Sequence, residues 1–441
     1  MSPSWIMSVL FEYAFYYPLF MAYVWMVGGV YYHWHWGRGG HVFERRPWPH
    51  AQRPPASVLV PCHNEREHVT ETVHSLLEQD YPGLDIVLIN DGSTDGTDRI
   101  IDALAERHPS VRAIHLTSNQ GKAVALKVGA LVSPHEFLIT IDGDAVLDRS
   151  AVGWIMHHFV SGPRVGAVTG NPRIRTRSTV LGRIQVGEFS SIIGLIKRAQ
   201  RIYGRVFTVS GVVSGFRKSA LQRVGYWSPD MVTEDIDVSW KLQLDHWDIR
   251  FEPNCLCWIL MPETFRGLFR QRLRWAQGGA EVLIKYSLDL LRWRKRRMWM
   301  VYLELLMSII WSYVICAIML LWLAGQLLPM PEPLRISTLL PAWPGVLIGV
   351  TCLLQFAVSL CIDSRYEKGL GRYYYWMVWY PLAFWTINAI TAVVALPRAL
   401  IKKSGLRARW ESPDRGIANS ARGSVRPVRT PVHTARGSND A

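Results

Sequence analysis

Four long stretches of the 441-residue sequence contain no charged residue and consist mainly of apolar side chains. Each reaches the roughly 20 residues that a helix needs to cross a bilayer. Three of them follow one another and leave no polar face to meet water, so they predict membrane helices rather than the core of a soluble domain. The stretches are Tyr13–Tyr32, Leu305–Pro331, Ile336–Ile362 and Tyr373–Pro397.

The flanking charges predict the orientation of these stretches. Tyr13–Tyr32 has only Glu12 before it and no basic residue, which is typical of an uncleaved anchor rather than a signal peptide. Basic residues follow it, so the positive-inside rule places the amino terminus outside and the chain from about residue 37 inside. The last stretch contains Pro381; it either re-enters the membrane or takes a basic tail across it, and the sequence leaves both alternatives open.

Basic residues cluster beside the apolar stretches. The formal net charge is +14, and the tail from Arg398 onward contributes half of that surplus. Residues 292–297 form a second basic block just before the second stretch. Such clusters are typical of contact with anionic lipid headgroups. No nucleic-acid recognition motif accompanies the charge, so we expect a bilayer and no nucleic acid as partner.

Strand and helix patterns alternate over residues 57–144. Alternation at this spacing predicts an α/β domain with a parallel sheet, in which ligands bind beyond the carboxyl ends of the strands. Polar residues follow the predicted strands at several of these ends. The predicted strands are Ser57–Val60, Ile86–Asn90, Val111–Leu116 and Phe137–Asp142, and the helices lie near 66–79, 96–107 and 121–132.

Asp142 and Asp144 stand one residue apart after an apolar strand. Carboxylates in this arrangement suit Mg²⁺, or Mn²⁺, bridged to a diphosphate. An isolated pair of this kind is usually a solvated turn, but its place at a strand end favours the metal and nucleotide-sugar site.

Four further residues are candidates for nucleotide-sugar binding. Asp91 could accept hydrogen bonds from a base or ribose, or it could belong to an ordinary turn that caps a helix. Lys122 could neutralise phosphate near a helix start, or it could be a surface lysine. Asn64 and Glu65 follow the first strand and complete this set.

Asp235 is the candidate general base. An acceptor hydroxyl must lose its proton as it attacks a sugar, and one carboxylate within hydrogen-bond reach suffices for an inverting reaction. Glu234 and Asp235 could instead cap a helix, and Asp237 is a competing candidate.

Gln271, Arg274 and Trp275 lie on one face of a predicted helix. The indole offers a flat surface for a sugar ring, the guanidinium can hold diphosphate, and the amide can bond a hydroxyl. We group them with Glu234 as an acceptor and diphosphate site. An interfacial helix anchored by Trp275 is the simpler alternative, and both can hold.

In this order the motifs resemble the processive inverting family 2 glycosyltransferases, which include cellulose, chitin and hyaluronan synthases. The resemblance covers roughly residues 55–300. It implies a GT-A (Rossmann-like) catalytic domain in the cytoplasm plus an α-helical transmembrane region. It also implies that Asp91 binds the nucleoside, that Asp142 and Asp144 bind metal and diphosphate, and that Asp235 acts as base.

Other segments are similar to the bacterial synthases of poly-β-1,6-N-acetyl-D-glucosamine within that family; they are 166–178, 184–188, 190–198, 261–264 and 412–416. By that similarity the donor is UDP-N-acetylglucosamine and the growing glycan is an exopolysaccharide of the biofilm matrix. A small membrane partner subunit, activation by cyclic di-guanylate and a multi-pass location in the bacterial inner membrane are also implied. Another β-glycan synthase, making a chitin-, hyaluronan- or cellulose-like product, is the alternative.

These observations predict five regions along the chain. They are an N-terminal anchor (1–36), the GT-A domain (50–262), interfacial amphipathic helices (263–298), a C-terminal transmembrane region (299–400) and a basic, largely disordered tail (401–441).

Overall fold

The computed structural model describes residues 3–37, 53–329, 331, 334, 342–402, 405, 407 and 408. The strands are β1 (Ala56–Cys62), β2 (Leu84–Asp91), β3 (Val111–Leu116), β4 (Phe137–Ile141), β5 (Val146–Leu147), β6 (Val165–Ile174), β7 (Val213–Arg217) and β8 (Asp248–Ile259). The predicted disorder of the tail concerns residues that lie almost wholly outside these ranges.

Thirteen α-helices lie in the described part of the chain, and short segments of other helical types adjoin four of them. The α-helices are α1 (Pro3–His35), α2 (Val69–Leu77), α3 (Thr97–Arg107), α4 (Lys122–Val132), α5 (Ala151–Ser161), α6 (Val180–Phe189), α7 (Lys197–Tyr203), α8 (Lys218–Arg223), α9 (Glu234–Leu244), α10 (Phe265–Leu290), α11 (Trp299–Leu327), α12 (Ala342–Asp363) and α13 (Tyr380–Ile401). A π-helical segment, Ser190–Ile196, joins α6 to α7, and 3-10 segments precede α11 (Trp293–Met298) and α13 (Leu370–Trp379).

One mixed sheet forms the centre of the soluble domain, in the order β3-β2-β1-β4-β7-β6-β8-β5. The first four of these strands are parallel, as the sequence predicts. All seven residues of β1 are buried, because helices cover both faces of the sheet and such strands are continuously apolar. Beyond β4 the sheet becomes mixed, since β7 pairs antiparallel with both β4 and β6.

The carboxyl ends of the central strands meet at one edge of the sheet. Cys62 at the end of β1 pairs with Asn90 near the end of β2, and β4 ends beside them at Ile141. The residues that follow these strands are therefore brought together, as the parallel topology requires.

Three described helical regions are long and apolar enough to cross a membrane: Trp293–Leu327, Pro344–Asp363 and Leu370–Ile401. The N-terminal helix α1 is not among them, because its many Tyr, Trp and His side chains lower its mean hydropathy. It nevertheless packs along these helices: the Tyr13 hydroxyl donates to the carbonyl of Met307 (2.6 Å) and the Trp311 indole to that of Ala14 (3.0 Å).

Helix α13 contacts the soluble domain near both of its ends. At the first turn, the Tyr380 hydroxyl donates to the Glu188 carboxylate (3.1 Å). Just past the last turn, Lys402 lies 2.9 Å from the Glu281 carboxylate in α10. Between these points α13 lies alongside α10. Both ends of the helix are therefore in contact with the soluble domain.

Candidate active site

Asp142 and Asp144 follow β4 directly, in the tight turn that the strand enters at the sheet edge. Both side chains are partly exposed to the crevice. The pKa of Asp142 lies above its ordinary value because burial and the nearby Asp144 carboxylate outweigh the attraction of Lys122. The pair thus concentrates negative charge that a cation can offset.

Lys122, at the first position of α4, contacts several groups at the centre of the crevice. Its ammonium group donates to Asp142 (2.5 Å) and to the Gly211 carbonyl (2.9 Å), and it lies 3.3 Å from Glu234. Burial alone would lower its pKa, but the Asp142 and Glu234 carboxylates raise it. Lys122 is therefore a fixed cation of the crevice, and the surface-lysine alternative is wrong.

Asp91 lies at the end of β2 and is completely buried. One carboxylate oxygen accepts from the backbone of Gln120 (2.7 Å) and the other from Gly121 (2.8 Å). Asp91 thereby holds the loop that precedes Lys122. A direct contact with a nucleoside stays a prediction.

Asn64 and Glu65 follow β1 beside this loop. The Asn64 side-chain amide oxygen accepts from the backbone of Thr94 (2.9 Å), and the Glu65 backbone donates to the Thr97 hydroxyl (2.8 Å). Asn64 adopts a left-handed backbone conformation (φ 57°), which asparagine tolerates better than most residues. Both residues fix the turn after β2 and border the crevice; their binding roles stay predictions.

The two carboxylates that compete for the role of base lie on one helix but in different surroundings. Asp237 is completely buried and accepts from Lys285 (2.7 Å) and from the Tyr286 hydroxyl (2.8 Å). Burial would raise its pKa, yet Lys285 and Lys241 hold the pKa below its ordinary value. Asp237 thus joins α9 to α10 and does not face the crevice.

Asp235 lies at the start of α9, beside Glu234, and is partly exposed. Burial and the Glu234 charge raise its pKa to about 6, although Lys122 and Arg274 act in the opposite direction. A carboxylate with this pKa is ionised at neutral pH and binds a proton more readily than an ordinary aspartate does, which suits a general base.

The predicted acceptor residues lie on α10 as expected from their spacing. Arg274 is exposed and its charge acts on Asp235. The Gln271 side-chain amide oxygen is buried and has no hydrogen-bond partner among the described residues, so it is available to a ligand. A Cβ at Gly278 would overlap the Thr233 side chain, so this glycine lets α10 approach the start of α9 closely.

A buried ion pair that the sequence does not reveal supports Trp275. Arg272 pairs with Glu188 of α6, and both are almost completely buried. The Arg272 guanidinium also stacks on the Trp275 ring, 4.4 Å from its centroid. Tyr380 of α13 donates to the same Glu188. The position of Trp275 therefore depends on α6 and α13 as well as on α10.

Trp275 also lines a cavity of about 420 Å³ that extends between the apolar helices. Its wall consists of aliphatic side chains, aromatic rings and a few uncharged polar groups; the last two kinds include Trp25, Ser191, Trp311, Gln355 and Asn388. The cavity thus begins beside the acceptor residues of α10 and continues among α1, α11, α12 and α13.

The chain returns to the crevice after α13. The Ala408 backbone donates to the carbonyl of Pro229 (2.9 Å), and Arg407 contacts the side chain of Gln120. A Cβ at Gly121 would overlap the Ala408 carbonyl oxygen. Residues 407 and 408 therefore lie over the loop that Asp91 holds; the basic composition of the tail gave no sign of this.

Comparison with known proteins assigns the family. The family described as "Glycosyltransferase like family 2" matches residues 54–278. The poly-beta-1,6-N-acetyl-D-glucosamine synthase of Staphylococcus epidermidis is 41% identical over 416 residues, which cover 92% of this chain and 98% of the relative. The chain is a family 2 glycosyltransferase. The synthase of the same name from Staphylococcus aureus (strain COL) is 38% identical over 419 residues, with the same coverage.

A solved structure shows that this glycosyltransferase has the GT-A fold. The mannosyltransferase PcManGT from Pyrobaculum calidifontis, in complex with GDP-Man and Mn²⁺, superposes with a TM-score of 0.64 at 20% identity. The match covers 91% of this chain and 100% of that chain. The glycosyltransferase therefore combines a GT-A domain with apolar helices long enough for a membrane, and it transfers sugar from a nucleotide-sugar donor to a glycan acceptor.

Proposed function

We propose that this glycosyltransferase is a processive inverting synthase that polymerises N-acetylglucosamine from UDP-N-acetylglucosamine into poly-β-1,6-N-acetyl-D-glucosamine. The relatives that align with 92% of the chain are named as synthases of this polymer, and this similarity supports the proposal. The main observation behind the proposal is that Lys122 contacts both Asp142 and Glu234. Glu234 adjoins Asp235 in the sequence, so Lys122 connects the donor residues with the candidate base.

In this proposal the donor diphosphate lies between Lys122 and the Asp142/Asp144 pair. Among the described residues no group of three or more His, Cys, Asp and Glu could hold a metal alone. The Asp142 and Asp144 carboxylates, one residue apart at the strand end, nevertheless fit a hard divalent cation that takes its other ligands from the diphosphate. Mg²⁺ or Mn²⁺ would offset the charge of the departing UDP. Asp91, Asn64 and Glu65 shape the nucleoside end of the site.

The acceptor is the 6-hydroxyl group at the end of the glycan. Its oxygen attacks the anomeric carbon as the bond from that carbon to the diphosphate breaks, and UDP leaves with the bonding electrons. Asp235 takes the hydroxyl proton, so one displacement inverts the configuration. Trp275 stacks on the acceptor sugar, Gln271 bonds a hydroxyl group, and Arg274 with Glu234 flanks the diphosphate.

The cavity that starts at Trp275 is the proposed exit path for the polymer. A glycan needs aromatic surfaces for its rings and uncharged hydrogen-bonding groups for its hydroxyls, and the cavity wall has both. Each added sugar would advance the chain by one unit from Trp275 into the cavity, which accounts for extension without release.

The proposed location is the bacterial inner membrane, with the catalytic domain in the cytoplasm. By length and composition the last helical region could cross the bilayer, but the contacts at both ends of α13 favour the re-entrant or interfacial alternative. Helices α1, α11 and α12 would then cross, and the basic tail would stay inside. The exposed basic segment at 292–297 would contact anionic lipid.

A biofilm product, a small membrane partner subunit and activation by cyclic di-guanylate belong to the same proposal. They rest on the similarity to the synthases that make this polymer. Adding cyclic di-guanylate to membranes that contain the chain with and without its neighbouring subunit would test the last two.

The direct test is to supply membranes with Mg²⁺ and each UDP-sugar in turn. We expect polymer only from UDP-N-acetylglucosamine, with 1,6 linkages by methylation analysis. Uptake of glucose or glucuronate units, or 1,4 linkages, would favour a cellulose-, hyaluronan- or chitin-like synthase. A product of single sugar units would overturn processive synthesis.

A further inference from the structure

Lys197 is an almost completely buried lysine near the candidate base. It begins α7 directly after the π-helical segment and is 4% exposed. Its ammonium group donates to the Thr169 hydroxyl (3.1 Å), and this is its only hydrogen bond among the described residues. Burial of an ammonium group with so few partners is costly, so the position requires an explanation.

A short chain of contacts connects Lys197 to the wall of the crevice. The Thr169 oxygen that accepts from Lys197 also accepts from the backbone of Ser210 (2.8 Å). The adjacent Gly211 packs against the base, since a Cβ there would lie 3.0 Å from an Asp235 carboxylate oxygen. Through Thr169 and Ser210, Lys197 therefore fixes the surface on which Asp235 lies.

Lys122 holds the same wall from the opposite side. It donates to the Gly211 carbonyl (2.9 Å) and so complements the Lys197–Thr169–Ser210 contacts. Two lysines thus bracket residues 210 and 211, but of these two only Lys122 also contacts the donor carboxylates. Lys197 is free of that role.

The charges that face Asp235 come from several elements. Glu234 on its own helix opposes its ionisation, whereas Lys122 on α4 and Arg274 on α10 favour it. Asp235 in turn acts on Lys197: burial lowers the pKa of Lys197 to about 7, and the Asp235 charge opposes that effect. A cation at Lys197 stabilises the ionised base by the same interaction.

The π-helical segment before Lys197 connects this lysine to the membrane helices. Ser191 in that segment accepts from Gln355 of α12 (2.8 Å) and lines the cavity together with Ile196. Such segments are rare and are often found at functional sites. Here the segment borders the proposed exit path and ends at Lys197.

We infer that Lys197 is a positioning residue for sugar transfer: its ammonium group holds the 210–211 wall and supplies a positive charge that keeps Asp235 ionised. This inference rests on the proposed function, in which Asp235 is the base. Lys197 acts on the acceptor only through Asp235.

The test is the pH profile of kcat for polymer synthesis in membrane vesicles. We expect Lys197→Met to move the acid limb of the profile, where kcat falls as pH decreases, upward by about one pH unit, because a neighbouring cation lowers a carboxyl pKa. That shift alone lowers kcat at pH 7 about twofold. Loss of the support for residues 210 and 211 adds to it, for a total decrease of at least about tenfold. Lys197→Arg keeps the charge and should keep the limb in place. Lys127→Met, which removes an exposed charge from α4, is the matched control and should leave the profile unchanged.

An unshifted acid limb in Lys197→Met, with only a lower yield or unfolding temperature, would overturn the inference in favour of a purely structural lysine. If Lys197→Met does not fold, Lys197→Gln is measured in its place. Failure of both uncharged variants to fold would also overturn the inference. Asp235→Asn separates the two proposals. If that variant is active, the proposed base is wrong; if it is inactive while the limb stays unshifted, only the inference about Lys197 fails.

Discussion

At the scale of single residues, the environment decides which of two neighbouring carboxylates can act. Asp235 and Asp237 are two positions apart on α9 and indistinguishable by residue type. Asp237 accepts from Lys285 and Tyr286 and ties α9 to α10. Asp235 lies at the crevice, and its pKa is raised to about 6.

Replacement of Asp235 by asparagine should abolish synthesis and leave donor binding intact. An amide cannot take the hydroxyl proton, so we expect kcat to fall at least about 100-fold. UDP binding by calorimetry should stay within about twofold, because the amide keeps the shape of the side chain. Unchanged synthesis would remove Asp235 from the mechanism.

The comparison variant Asp237→Asn should act on stability. Lys285 and Lys241 would lose their carboxylate partner, and breaking a buried ion pair costs about 3–5 kcal/mol. The expected result is a lower unfolding temperature in detergent, with an acid limb of kcat like that of the wild type. A shifted limb and normal stability would mean that the two residues have the opposite roles.

The activity of the wild type should depend on pH through Asp235. Its pKa is raised to about 6, so the base is ionised above that pH and protonated below it. We therefore expect kcat to fall as pH decreases through 6, by about tenfold per pH unit below it. A limb near pH 4 would indicate a base with an ordinary carboxyl pKa.

At the scale of elements, two adjacent glycines in α10 have different surroundings. A Cβ at Gly278 would overlap the Thr233 side chain, whereas one at Gly279 would meet Leu305 at an ordinary 3.6 Å. The close approach of α10 to α9 brings the acceptor residues to the base, so only Gly278 is required for that geometry.

Gly278→Ala should therefore disturb both stability and synthesis. Overpacking of a tight contact costs about 1–3 kcal/mol, and a displaced α10 would separate Trp275 from Asp235. The control Gly279→Ala should be as stable as the wild type or more so, since alanine favours helices. Equal effects of the two substitutions, measured by thermal unfolding and polymer yield, would contradict the close α9–α10 contact.

Helix α12 is joined to the soluble domain by a buried cluster of charges. Asp363 at its end is completely buried and lies 2.9 Å from Arg173 of β6 and 3.0 Å from Arg198 of α7. The cluster fixes the end of α12 next to the π-helical segment, where Gly194 leaves room for the carboxylate.

Asp363→Asn should destabilise the protein by about 3–5 kcal/mol, because two buried guanidinium groups would lose their counter-charge. Asp289→Asn is the control: its pair with Arg292 is exposed and 3.7 Å long, so we expect a change below about 1 kcal/mol. Thermal unfolding in detergent compares the two. Similar unfolding temperatures would show that the Asp363 cluster does not hold α12.

At the scale of the whole molecule, the features that can be predicted from the sequence are those that local patterns of residues encode. Apolar runs give the strands of the parallel half of the sheet, and the residues after them mark the crevice. The buried ion pairs that support the site could not be predicted in this way, because their partners are far apart in the chain. Glu188 and Arg272 are separated by 84 positions, and Arg198 and Asp363 by 165. Neither pair follows a spacing rule, and only the folded arrangement of helices brings them together.

The sequence leaves open whether the last apolar stretch crosses the membrane or re-enters it. Hydropathy treats Tyr373–Pro397 as one more span, whereas the contacts of Tyr380 and Lys402 return both ends of α13 to the catalytic domain. Reporter fusions test the resulting topology. We expect the amino terminus outside and the carboxyl terminus inside; a carboxyl terminus on the outer side would require α13 to cross.

The most direct measurement is the structure of the complex that the chain forms in a bilayer mimic with UDP, Mn²⁺ and a short β-1,6-linked N-acetylglucosamine oligomer. The account predicts the diphosphate beside Lys122, Asp142 and Asp144, the terminal sugar on Trp275, and its 6-hydroxyl group within hydrogen-bond reach of Asp235. An oligomer bound in a cavity that does not connect with the nucleotide site would contradict it.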